Sequence, residues 1–125
     1  MLVTFFLLLA AVIHLLPVVG VVSAARVEAL YGVSVDSPDM AVLLRHRAVL
    51  FGLLGAALVA AAFVPQLRPP VIGGGLMSMV SFVVLCLHEG TGRTGPLRKV
   101  VVADVVAIVA TVGAGVLEMS GPTGA

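Results

Sequence analysis

Residues 98–118 read Arg98-Lys99-Val100-Val101-Val102-Ala103-Asp104-Val105-Val106-Ala107-Ile108-Val109-Ala110-Thr111-Val112-Gly113-Ala114-Gly115-Val116-Leu117-Glu118. A basic pair opens the stretch, an acid closes it, and one charged residue, Asp104, interrupts the apolar run between them. About 20 such residues wound as a helix cross the hydrocarbon of a bilayer, and a helix is the form in which every backbone amide is satisfied there without water. The run predicts a transmembrane helix.

Working outward, three more runs of the same kind fill the chain, over about 2–25, 40–64 and 71–88, with this one over about 99–118. Of the 125 residues, 61% are hydrophobic and 10% charged, and mean hydropathy is +1.25. A soluble domain of this composition would expose apolar surface almost everywhere. The expectation is an all-α, integral membrane four-helix bundle in which residues 1–125 form a single transmembrane domain. Four spans and short connections leave no room for a separate catalytic module, so any chemistry has to sit inside the bundle or at its rim.

The connections carry the punctuation of helix ends. Pro17 and Gly20 fall inside the first run, where a membrane helix tolerates them. Val22-Ser23-Ala24 looks like a signal-peptidase site, but no basic residue precedes the apolar stretch, so the run is read as a retained span. Tyr31 suits the membrane interface and Gly32 a helix C-terminus. Asp36-Ser37-Pro38-Asp39 reads as a helix start, with Asp36 or Ser37 capping free amides and proline preset for the first turn. Pro65 and Arg68-Pro69-Pro70 close the second run. Gly73-Gly74-Gly75 lacks the strand and the Lys-Ser/Thr of a phosphate loop, so close helix packing is its expected role. Gly121-Pro122-Thr123-Gly124 is expected to be a frayed tail.

Of the 7 Lys and Arg residues, all but Arg68 fall on one side when the spans alternate. The positive-inside rule makes the crowded side cytoplasmic and sets both termini outside. The lone cysteine, Cys86, gives no disulfide or CxxC pair within one chain. Net charge is +1, which is no footprint for nucleic acid.

Small residues recur every four positions at Ala48, Gly52, Ala56 and Ala60, and again at Ala103, Ala107, Thr111 and Gly115. Both rows are read as close-approach ridges. Helical spacing sets Arg45 on the first ridge and Asp104 at a similar depth on the last span, sharing a face with Thr111 and Glu118. Arg45 and Asp104 are therefore expected to pair, either as a structural clamp or, with His46, as a polar pocket for an anionic headgroup or carboxylate. Arg47, in a row with Leu50, Phe51, Leu54 and Leu58, is expected to face lipid and snorkel to headgroups, an interface anchor like Tyr31. His14 is the candidate intramembrane relay, or else a packing residue bonded to a carbonyl. At about 1.5 Å per residue it lies roughly 15 Å from the mouth where His88 sits, which argues against a shared haem or metal. Asp104 and Glu118 are about 21 Å apart along their helix, too far to serve one substrate as acid and base.

The run His14-Leu15-Leu16-Pro17, then Leu30-Tyr31-Gly32, then Leu43-Leu44-Arg45-His46-Arg47-Ala48-Val49-Leu50-Phe51-Gly52, then Ser78 to Phe82 and Asp104, resembles a family of small four-span bacterial inner-membrane proteins. Looser similarity extends to the DoxX-like four-helix membrane proteins. The resemblance covers almost the whole chain and implies the bundle fold and little about activity. Some members of that family carry the label phosphopantetheine adenylyltransferase, which does not suit these residues: His14, His46 and His88 each lack a preceding glycine, and no alternation of strand and helix is present to hold a nucleotide.

The functional expectation is a non-catalytic lipid-binding, partner-binding or accessory module of the inner membrane, with membrane lipids, a membrane protein or a second copy of itself as partners. No enzyme activity, cofactor, metal site or nucleic-acid partner is expected. A small proton-coupled transporter or channel subunit using His14 and Asp104 is the alternative, and a haem or redox subunit the third reading.

Overall fold

The computed structural model describes residues 1–21, 25, 28, 34, 36–95 and 97–121, with side chains at 19–21 left aside. Val22-Ser23-Ala24, Arg26, Leu30-Tyr31-Gly32 and the tail from Pro122 lie outside the described residues. Among the described residues four α-helices have defined bounds: α1 (Leu2–Leu15), α2 (Pro38–Phe63), α3 (Arg68–His88) and α4 (Arg98–Ser120). No strand occurs among the described residues. The protein is all-α. Pro38–Phe63, Pro65–His88 and Arg98–Ser120 are long and apolar enough to cross a membrane, while the first apolar helix is shorter.

The first run does not continue as one helix to residue 25. Pro17 has no N–H for the carbonyl of Ile13, so α1 ends at Leu15 and the chain tightens into a 3-10 turn, Leu16–Val21. The start of α2 is the one expected from sequence: Ser37 caps it, its hydroxyl accepting from the Met40 amide at 3.1 Å, with Pro38 in the first turn. A single 3-10 turn, Pro65–Leu67, then reverses the chain into α3. Arg68-Pro69-Pro70 belongs to the first turn of α3 and not to the connection, because amides of a first turn have no partner within the helix and prolines there forfeit nothing.

Cross-helix contacts show antiparallel neighbours. Thr4 of α1 donates to the Ala62 carbonyl of α2 at 3.0 Å, while His14, ten positions on, meets Phe51. Arg68 in the first turn of α3 pairs with Glu118 near the end of α4. α1 packs against α2 and α4, and α3 packs more closely on α4 than on α2. The centre is built from Leu7, Leu58 and Met79 set among alanines such as Ala10, Ala61, Ala107 and Ala114. Small side chains let backbones approach, and in a membrane that contact, more than hydrophobicity, holds helices together. A Cβ on Gly55 would lie 2.7 Å from the Leu15 side chain and 3.4 Å from the Ala11 carbonyl, so this glycine is where α1 closes on α2.

The ridge expected on α2 is rotated. Ala48 is buried, but Ala56 is exposed, and the inward row runs through Phe51, Gly55, Leu58 and Ala62. Phe51 and Leu58, expected to face lipid, are core. On α4 the inward face is the expected one, with Asp104, Ala107 and Thr111 buried. Of Gly73-Gly74-Gly75, only Gly75 is buried against a neighbour, and the other two are exposed.

Candidate functional site between α1, α2 and α4

Where α1 breaks at Pro17, it stops covering the first turns of α4. A cavity of about 240 Å³ results, lined by Ile13, His14 and Pro17 from the first segment, Phe51 from α2, and Lys99, Val100, Ala103 and Asp104 from α4. Its walls are mainly apolar, with two buried polar side chains.

His14 is 1% exposed and Asp104 is 4% exposed. The His14 Nδ1 lies 2.9 Å from the Ala10 carbonyl, one turn back on its own helix. A carbonyl only accepts, so Nδ1 carries the proton of that bond. His14 Nε2, Asp104 Oδ2 and, on the neighbouring Arg47, Nη2 are buried with no hydrogen-bond partner in the protein among the described residues. Buried polar atoms are nearly always partnered, and two of these exceptions are on side chains that line one cavity.

Besides the exposed Lys99 in the lining, Arg47 supplies a positive charge beside the cavity. Its guanidinium lies 4.5 Å from the ring centroid of Phe51, one turn further along α2, and 4.4 Å from that of Phe82 on α3. Sandwiched between two ring faces, the cation is held by their quadrupoles in a setting with little water to compete. Phe51 in turn meets the His14 ring edge-on, with centroids 5.5 Å apart. The field of Arg47 reaches His14, Cys86 and Asp104. Phe51 thus stands between the arginine and the cavity.

The expected cluster of Arg45, His46 and Asp104 does not form. Arg45 and His46 are exposed and flank a separate surface groove with Val42 and Val49, whereas Asp104 is buried at the cavity. The inward arginine is Arg47, which corrects both its assignment as a lipid-facing anchor and that of Arg45 as the partner of Asp104. Two helix positions differ by about 200° around the axis, so exchanging the faces of α2 exchanges the two arginines. Tyr31, the other expected anchor, lies outside the described residues. Among the described residues no group of three or more His, Cys, Asp or Glu is arranged to hold a metal ion.

A second polar cluster, at the other end of the helices, was not anticipated. Arg68, 7% exposed, donates from Nη1 to Glu118 Oε2 at 2.9 Å, from Nε to the Ala61 carbonyl at 3.1 Å and from Nη2 to the Ala62 carbonyl at 3.2 Å. It binds carbonyls that the end of α2 leaves open and an acid of α4. The signal was available: Arg68 and Glu118 are opposite charges at the same end of adjacent antiparallel helices. Between the two clusters the buried side chains among the described residues are apolar, apart from Thr111, whose hydroxyl bonds the Ala107 carbonyl at 2.7 Å.

Compared with protein-family models, curated proteins and solved structures, the chain matches none of them.

Proposed function

We propose that this protein is a non-catalytic, multi-pass module of the bacterial inner membrane that binds a lipid or another amphiphile, with the polar end of that molecule in the cavity between α1, α2 and α4. The observation that carries the reading is the pairing of apolar walls with the two buried, unpartnered atoms His14 Nε2 and Asp104 Oδ2. Ligand sites are commonly apolar pockets with a few polar groups that fix orientation. The similarity of segments such as Leu43-Leu44-Arg45-His46-Arg47-Ala48 to small four-span bacterial inner-membrane proteins agrees with this reading. So does the charge distribution, which by the positive-inside rule puts the cavity end in the cytoplasmic half and both termini outside.

The alternative, a proton-coupled transporter or channel subunit, draws on the same two residues, since intramembrane ionisable groups are candidates for relays. The apolar core between the cavity and the Arg68–Glu118 pair weighs against it, because a proton path needs polar groups or water across that interval. The test is purification into nanodiscs followed by mass spectrometry of co-purifying lipids. One lipid or other amphiphile enriched over the bulk membrane, and lost from Ala103→Phe, which fills the cavity, is the expected outcome. A lipid profile equal to the bulk in both proteins would overturn the reading.

A further inference from the structure

Resting on that reading, we infer that the polar end of the ligand is an uncharged hydrogen-bond donor, an alcohol or phenol hydroxyl on an apolar body, and not an anionic headgroup. Because Nδ1 of His14 spends its proton on the Ala10 carbonyl, Nε2 of the neutral ring presents a lone pair. Asp104 Oδ2 is likewise an acceptor as carboxylate. Two acceptors without protein partners, on side chains that line one cavity, are satisfied by a group that donates.

Charge narrows the choice further. A phosphate or carboxylate brought to this cavity would set its oxygens against Asp104 and the His14 lone pair, a repulsive arrangement in a medium of low dielectric. Of the two cations near it, Lys99 lines the cavity but is exposed and has an interaction of its own, and Arg47, whose Nη2 is likewise buried without a hydrogen-bond partner, lies between the rings of Phe51 and Phe82 and is not among the lining residues. An ammonium head would share the cavity with the Lys99 cation, with Arg47 close behind Phe51. A neutral hydroxyl meets neither penalty. The cavity, about 240 Å³, has room for a ring or a short alkyl segment beside it, against Ile13, Pro17 and Phe51.

The chain has no tryptophan, so naphthalene emission can be followed with little protein background. The experiment titrates 2-naphthol, 2-methoxynaphthalene and 2-naphthoate into the protein in phosphatidylcholine nanodiscs, with empty nanodiscs as the partition reference. The expected result is saturable binding of 2-naphthol, roughly tenfold tighter than the methoxy compound, which cannot donate, and tighter than the anion. His14→Phe and Asp104→Leu should each shrink that preference, and the second variant serves if the first does not fold, as judged by circular dichroism. The comparison in the unaltered protein needs no variant. Equal affinity for the hydroxyl and methoxy probes, or tightest binding of the carboxylate, would overturn the donor head while leaving an amphiphile site standing. No saturable binding of any of the three would remove the amphiphile reading and this inference together.

Discussion

Arg68 Nη1 and Glu118 Oε2 lie 2.9 Å apart, joining the first turn of α3 to the last turns of α4, while the rest of the guanidinium holds the Ala61 and Ala62 carbonyls of α2. One side chain ties three helices. The pair is only partly shielded, with side-chain exposures of 9% and 25%, so its contribution comes as much from the carbonyls as from the charge.

Arg68→Ala should therefore cost more than Glu118→Gln. The first leaves the Ala61 carbonyl and a carboxylate without their donor, while the Ala62 carbonyl keeps Thr4, and costs about 2 to 4 kcal/mol; the second keeps the carbonyl bonds and costs about 1 to 2 kcal/mol. Unfolding in bicelles gives both values. Equal losses would mean that the ion pair alone matters.

The coupled arginine on α2 should be Arg47. A double-mutant cycle of Arg47→Leu with Phe82→Leu is expected to show coupling of about 0.5 to 2 kcal/mol. Arg45→Ala combined with Asp104→Ala should be additive. The reverse pattern in the same unfolding assay would restore the partnership expected from the sequence.

The connection between α3 and α4 depends on one glycine more than on its neighbours. Gly92 has φ of +88°, and a Cβ there would lie 2.8 Å from Val101 Cγ2 and 3.1 Å from Cys86 Cβ. Gly95 has φ of +81° with open space around it. Gly92→Ala adds a clash to the backbone strain and should cost about 2 to 4 kcal/mol, against about 1 kcal/mol for Gly95→Ala. Thermal inactivation of the two purified variants ranks them, and matching midpoints would contradict the crowding at Gly92.

For orientation, a C-terminal alkaline phosphatase fusion should be active and a fluorescent protein at the same point dark, as six basic residues against one require. The opposite pair of results would invert the topology.

His14 is expected to hold a ligand and not to move protons. Liposomes containing the protein should then pass no protons above the empty-vesicle rate under an imposed pH gradient, and the purified protein should lack a Soret band. Proton flux abolished by His14→Ala or Asp104→Ala, in variants that keep their helical signal, would favour the relay.

What the sequence disclosed and what it withheld follow from the solvent. The ends of α2 were legible because Ser37 caps and Pro38 and Pro65 punctuate, whatever surrounds the helix. The inward face of α4 was legible because Asp104, Thr111 and Glu118 are polar groups in a heptad row. On α2 the large apolar side chains gave no direction, since Phe51 and Leu58 would be equally at home in lipid and in the core. The rotation error there carried Arg45 and Arg47 with it. A different clue was present: Arg47 and Phe51 stand four residues apart, the spacing at which a cation and a ring meet on one helix face. The cavity itself could not be read, because it depends on how far α1 extends before Pro17 breaks it and on which helices stand beside that break.

The Arg68–Glu118 contact also bears on the order in which the molecule can be completed. Synthesis runs from the amino end, so α2 and α3, joined by a single turn, exist as a hairpin before the acid that answers Arg68 has been made. Until the final turns of α4 emerge, that arginine has only backbone carbonyls to hold. The latch thus closes only once α4 has been made: a nascent chain cut short before Glu118 would retain the helices long enough to span and lack the latch, presenting membrane quality control with a buried charge that has no counterpart.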